Sequence, residues 1–148
     1  MEVATATARF LRFLHAAEEE ALQRAAGTKS FAAEELVVEQ NASMQTIFLV
    51  EDGSVRVERD DEGQTILLAI LEAGEFFGEM SFVDGGPSSA RVVAQEPTRV
   101  RTIDEANVNS FVRQDPSFAG RLYRSIAAIL VERLRRTSMN MSLENRQL

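Results

Sequence analysis

The sequence predicts an α+β fold: an antiparallel β-roll, jelly-roll-like, with a helix before it and helices after it. Two observations carry this. Along the 148 residues the hydrophobic period changes from helical to strand-like and back, and turn-forming residues punctuate the middle at short, regular intervals. A third bounds the answer: a chain of this length buries roughly two-thirds of its unfolded surface, so one domain over residues 1–148 is expected to stand without a covalent or metal staple.

Residues 4–26 read as a helix, with Phe10, Leu11, Phe13, Leu14, Ala17, Leu22 and Ala26 near a 3.6 spacing and Gly27 as its stop. Residues 29–103 read as the roll. Leu36-Val37-Val38, Ile47-Phe48-Leu49-Val50, the runs 54–59 and 65–70, Arg91-Val92-Val93-Ala94 and the run 98–103 are rich in β-branched residues, and Val55/Val57 and Val100/Thr102 alternate cleanly. Glu51-Asp52-Gly53, residues 60–63, Glu72-Ala73-Gly74, Gly85-Gly86-Pro87 and Glu96-Pro97 supply the turns. Residues 104–148 return to helix: a short one from Asp104 to Val112, then a longer one opened by Asp115-Pro116. In the long helix Leu122, Ile126, Ile129, Leu130, Leu134, Thr137, Met141 and Asn145 form a narrow stripe, suited either to the roll or to a seam with another helix.

Composition removes several function classes. The 45% apolar content and mean hydropathy of −0.14 describe a globular chain, and the absence of cysteine excludes disulfides and thiolate chemistry. One histidine, His15, lies far in sequence from the motif described next and reads as a surface or capping residue. A histidine-rich metal centre is therefore not expected, no nucleophile–base–orienter set can be assembled, and no enzyme activity or cofactor is expected. No apolar run reaches 18 residues and the first ten lack a signal peptide's pattern, so no membrane partner and a cytoplasmic location are expected. With 23 acids against 16 bases, the net charge of −7 disfavours nucleic acid. The cluster Arg133, Arg135 and Arg136 reads as a solvated helix face, so no nucleic-acid partner is expected for this chain alone.

The informative segment is residues 77–94, which runs from the Gly74 turn into a β-like stretch with a short helix at residues 79–83. Such a loop offers backbone N–H groups to a phosphate, glycine where the backbone must come close, a carboxylate for a ribose hydroxyl, and hydroxyls for exocyclic oxygens. Each residue also has a plainer use. Glu79 suits the first turn of a helix, Gly78, Gly85 and Gly86 suit turns, Ser88 and Ser89 suit a loop, and Thr137 and Ser138 suit a helix surface.

Phe77-Gly78-Glu79-Met80-Ser81-Phe82 followed by Gly85-Gly86-Pro87-Ser88-Ser89-Ala90-Arg91-Val92-Val93-Ala94 resembles the phosphate-binding cassette of cyclic-nucleotide-binding domains. That family includes kinase A regulatory subunits, nucleotide-gated channels and the bacterial catabolite activators. The upstream frame, residues 36–57, is similar to the family's opening strands and glycine turn, and the resemblance spans residues 27–137. It implies that Gly78 gives a close backbone approach and that Glu79 accepts from the ribose 2′-hydroxyl. Ser89 and Ala90 would then offer a hydroxyl and an amide to the phosphate. Arg133 to Ser138 is similar to the stretch of the activators' dimerising helix that touches the base, with Thr137 and Ser138 at the purine edge. The implied ligand-contacting set is Gly78, Glu79, Met80, Ser81, Ser88, Ser89, Ala90, Arg91, Arg133, Thr137 and Ser138. The implied ligand is cyclic AMP or cyclic GMP, and the implied partner a second copy, or another protein, on the C-terminal helix.

One departure stands out. The family's cassette places an arginine two residues before its alanine, and this chain has Ser88 there. A charge-assisted hydrogen bond of that kind contributes about 1.5–3 kcal/mol, roughly ten- to a hundredfold in affinity. In a regular strand Arg91 faces away from position 88 and would not replace it, unless a bulge intervened. Three readings follow: a regulatory module that binds a cyclic nucleotide and relays occupancy through its last helix; a ligand-free roll serving as an interaction or dimerisation module; or the sensor part of a transcription regulator lacking its DNA-binding part. With no recognition segment after the helix, the output is expected to pass to a partner or through self-association.

Overall fold

The computed structural model describes residues 11–147, with side chains through Met139. In chain order it runs α1 (Ala16–Ala25), β1 (Gly27–Phe31), β2 (Leu36–Val38), β3 (Thr46–Asp52), β4 (Ser54–Asp61), β5 (Gln64–Glu72), β6 (Phe76–Phe77), α2 (Glu79–Asp84), β7 (Arg91–Ala94), β8 (Thr98–Asp104), α3 (Glu105–Gln114) and α4 (Ser117–Gln147). The strands form two four-stranded sheets, β1-β8-β3-β6 and β2-β7-β4-β5, and every strand pairing is antiparallel. This is the roll that the period-2 runs predict.

The central strand β3 shows how the layers are set. Its run Ile47-Phe48-Leu49-Val50 is buried on both faces, and alternation splits it. Ile47 and Leu49 join Phe76, Phe82 and Ile103 under the helices, against Leu11, Leu14, Leu22, Phe118, Leu122 and Ile126. Phe48 and Val50 face the other way, into the core between the sheets, with Val38, Val55, Leu71, Phe77, Val92 and Val100. β6 repeats the split with one residue on each side. Phe77 stacks on Phe48 with centroids 4.8 Å apart, while Phe76 faces the helices. Two adjacent phenylalanines thus fasten the cassette to both cores.

The N-terminal helix is shorter than the period suggests. Residues 11–13 form a turn and the helix begins at Ala16, where the His15 N–H donates to Glu18 Oε1 at 2.9 Å. Residues 4–10 of the expected helix lie outside the described residues. At the other end the helix closes at Ala25. Gly27 is already the first residue of β1, so the roll starts two residues before the expected 29. Glycine there lets β1 lie flat on β8, since a Cβ at Gly27 would stand 2.6 Å from Thr102 Oγ1.

The stripe along α4 is divided between two environments. Leu122 and Ile126 are buried in the roll's helical core with Ile129 and Leu130 packed beside them, so this part cannot also serve a seam. Beyond it Val131, Leu134 and Met139 are exposed. The side chain of Met141, also in the expected seam, lies outside the described residues. No helix among the described residues is long and apolar enough to cross a membrane.

Candidate functional site: a pocket under the last helix

A pocket of about 580 Å³ opens between the inner face of β4, β5 and β7, the cassette and the third quarter of α4. That volume suits a small organic ligand. Val57, Ala69, Leu71, Phe77 and Val92 make the apolar wall. Gly78, Glu79, Met80, Ser81, Ser88, Ser89 and Ala90 line it from the cassette, and Arg133, Arg136 and Thr137 from the helix. Nine of the eleven sequence-predicted residues are therefore brought together.

Gly78 sits at the mouth of α2 with φ of +86°, in the left-handed region. A Cβ there would lie 2.5 Å from the Thr46 carbonyl oxygen and 3.2 Å from the Phe48 ring. The main chain therefore reaches the β3 backbone only because this residue lacks a side chain. The tight turn aims Glu79 inward, and the carboxylate residue is 5% exposed.

A buried carboxylate needs a partner, and α4 provides it. Arg133 Nη1 donates to Glu79 Oε1 at 2.8 Å, and Nη2 donates to the Phe76 carbonyl at 2.6 Å. The guanidinium carbon lies 4.2 Å from the Phe76 ring centroid, a cation–π distance. One side chain of the last helix thus engages the cassette's acid, its backbone and its aromatic ring. Glu79 Oε2 is left to accept another donor. The solvated-face reading of Arg133 gives way to this contact. Thr137, one turn on, lines the pocket with its hydroxyl donating back to the Arg133 carbonyl at 3.1 Å.

Two of the predicted residues do not line this pocket. Arg91 lies outside the pocket. It points to the outer face of its sheet, where Nε donates to Glu58 Oε1 at 3.1 Å and Nη1 to Asp60 Oδ2 at 2.6 Å. Strand alternation from Ala90 accounts for this: Ala90 faces the pocket, and Val92 returns to it. Ser138 is exposed and does not line the pocket, being a full 100° around the helix from Thr137.

The serines that replace the expected cation behave differently from each other. The Ser88 hydroxyl donates to the Ala90 carbonyl at 2.5 Å and accepts from the Ala90 N–H at 3.4 Å, closing the turn on itself. Its backbone is pinned on both sides, with the Asn41 N–H donating to Ser88 O and the Ser88 N–H donating to Ala42 O, each at 2.8 Å. Ser89 is exposed on the pocket wall.

Sequence reasoning missed Glu75, Asp84 and Arg136 among the lining residues, and the apolar wall as well. Arg136 was legible as the position one turn beyond Arg133 on the same helix face. Val57 was legible as the inward member of an alternating strand. Asp84 had no signal beyond its turn, where its Oδ1 accepts from the Gly86 N–H at 2.7 Å.

Comparison with known proteins identifies the family and the fold. Residues 28–115 match the model of the cyclic nucleotide-binding domain, more than half of the chain. The cyclic AMP receptor protein of Thermus thermophilus is 37% identical over 100 residues, which cover 67% of this chain and 44% of that protein. The chain thus spans less than half the length of this relative. Among solved structures, the Thermus thermophilus catabolite activator protein superposes with a TM-score of 0.76 at 28% identity, covering 93% of this chain and 63% of the other. A cyclic nucleotide-binding domain from Methylobacillus flagellatus gives a TM-score of 0.80 at 18% identity, covering 95% and 85%, a likeness of fold. The order of strands, the cassette glycine and the acid behind it, together with the match over residues 28–115, place this chain in the cyclic nucleotide-binding domain family.

Proposed function

We propose that the chain is a non-catalytic regulatory module that binds a cyclic nucleotide, of the cyclic AMP or cyclic GMP type, in this pocket and relays occupancy through α4. The observation that carries the reading is the Arg133–Glu79 bond, because it joins the floor of the pocket to the last helix. In this reading Glu79 Oε2 accepts from the ribose 2′-hydroxyl while Oε1 keeps Arg133. Gly78 allows close backbone approach, Ser89 faces the exocyclic oxygens, and Thr137 meets the base edge. A ligand touching both cassette and helix favours the arrangement in which both contacts exist, so occupancy is felt along α4 as a population shift. The name of the Thermus relative, a cyclic AMP receptor, supports the ligand class.

Calorimetric titration with cyclic AMP and cyclic GMP, against 5′-AMP as control, tests the reading directly. Glu79→Ala should weaken the ribonucleotide by about ten- to a hundredfold, far more than its 2′-deoxy analogue. Equal losses for both ligands would remove Glu79 from the ribose role.

A second feature favours self-association as the output. Leu134 and Met139 are 67% and 66% exposed on the part of α4 that has left the roll. We propose that a second copy covers this part, helix against helix.

A further inference from the structure

The phosphate end of the pocket is where this chain departs from its family, and its charges say what it can hold. Position 88 carries no cation, and the Ser88 hydroxyl and amide are both engaged within the protein. Arg91 cannot swing in without abandoning Glu58, a mostly buried carboxylate, together with Asp60. The charged side chains that the cassette does present to the pocket are acids, Glu79 and Asp84. Of the two arginines of the lining, Arg133 is held by Glu79, itself a lining residue, and Arg136 by Glu132 at 2.9 Å in an exposed pair. Three acids (Glu75, Glu79, Asp84) against these two arginines leave the lining one unit negative, within a chain of net charge −7. Helix α2 has only six residues, so its dipole adds little. An anion entering here gives up water and meets no cation that is not already paired with a carboxylate. The ribose end, by contrast, keeps its buried acid and its arginine.

We infer that the pocket takes an uncharged ribonucleoside at least as well as the corresponding cyclic nucleotide, with ribose and base supplying the recognition and the phosphate seat contributing nothing. This rests on the pocket reading above and narrows its ligand. The cassette retains the Ser89 hydroxyl as a donor, which serves a neutral 5′-hydroxyl as readily as a phosphate oxygen.

The test titrates the full chain with adenosine and cyclic AMP, and with guanosine and cyclic GMP, at low and high salt. The expected result is cyclic nucleotide binding no more than about threefold tighter than its nucleoside, with no weakening as salt rises. Ser88→Arg should then raise the affinity for the cyclic nucleotide relative to that for its nucleoside by about tenfold or more. A wild-type preference for the cyclic nucleotide beyond about threefold overturns the inference while the proposed function stands. Silence toward all four compounds overturns both.

Discussion

Glu19 carries the most perturbed carboxyl of the described residues with a resolved value: burial pushes it up to about 7. The residue is 7% exposed and its Oε1 has no hydrogen-bond partner. Across from α1, Arg101 on β8 donates through Nη2 to the Gln23 carbonyl, leaving its own Nε buried and unpaired. The charged groups beside Glu19 on its helix, His15, Glu18 and Glu20, turn to one another, to Arg121 and to Arg24. A carboxyl raised in the folded state binds its proton more tightly there than in the unfolded chain. Stability is therefore highest at or below the unfolded value near 4.5 and falls as pH rises toward 7. The full shift would correspond to about 3 kcal/mol, and partial solvation reduces it to the order of 1–2 kcal/mol. Glu19→Gln should accordingly leave stability unchanged at pH 4.5 and raise it by that amount at pH 8. Urea unfolding of both proteins across this range checks the slope, and parallel curves would show that Glu19 does not titrate in the fold.

At the scale of elements, the preceding residue, Glu18, works with the opposite sign. Arg121 of α4 donates through Nε to Glu18 Oε1 at 2.9 Å and through Nη2 to Oε2, and its hydrogen bond is the largest influence holding the Glu18 carboxyl below its ordinary value. The Phe13 N–H donates to Ser125 Oγ at 3.0 Å, and the Arg124 guanidinium lies 4.0 Å from the Phe13 ring centroid. Together with Leu11, Leu14 and Leu22 these contacts bind the N-terminal segment to α4. A depressed carboxyl contributes stability above its unfolded value and loses it as pH falls through the folded one. Arg121→Met should speed amide exchange along α1 at neutral pH and abolish the loss of α1 protection that acid produces in the wild type. Protection unchanged at neutral pH would mean that the apolar contacts alone hold the helix. This tie was not legible in the sequence, since Glu18 and Arg121 stand 103 residues apart and charge pattern carries no long-range pairing. What was legible lay in local period and turn chemistry: every strand from β2 to β8 except the two-residue β6, the short helix of the cassette, and the Asp104 start of α3, where its carboxylate accepts from the Asn107 N–H at 2.8 Å. The outward fate of Arg91 followed from alternation as well. The Arg133–Glu79 bond did not, because it depends on where α4 crosses the roll, which is set by the packing of Phe118, Leu122 and Ile126.

For the whole molecule the consequence is that α4 is two things in succession. Its first part is a core element, with Leu122 and Ile126 fully buried, and its later part is an exposed lever joined to the pocket at Arg133. Val131, Leu134 and Met139 present apolar surface beyond the roll, and covering it with an equivalent helix would bring two pockets into one assembly. In the proposed function, linkage then ties the two events: a ligand that fixed Arg133 and Glu79 would favour one setting of the lever, and if that setting associated better, association would tighten the ligand by the same factor. Leu134→Glu places a charge in the middle of the surface proposed to be covered, where burial without a partner is unfavourable. Sedimentation velocity over a concentration series should show the wild type moving to a faster species and the variant remaining at the slower one, with its thermal unfolding little changed because Leu134 touches no core. Where ligand binds, the variant should also lose any dependence of affinity on protein concentration. A wild type that stays at the slower species throughout would remove self-association from the account. The lever would then have to act on a different protein through the same three side chains.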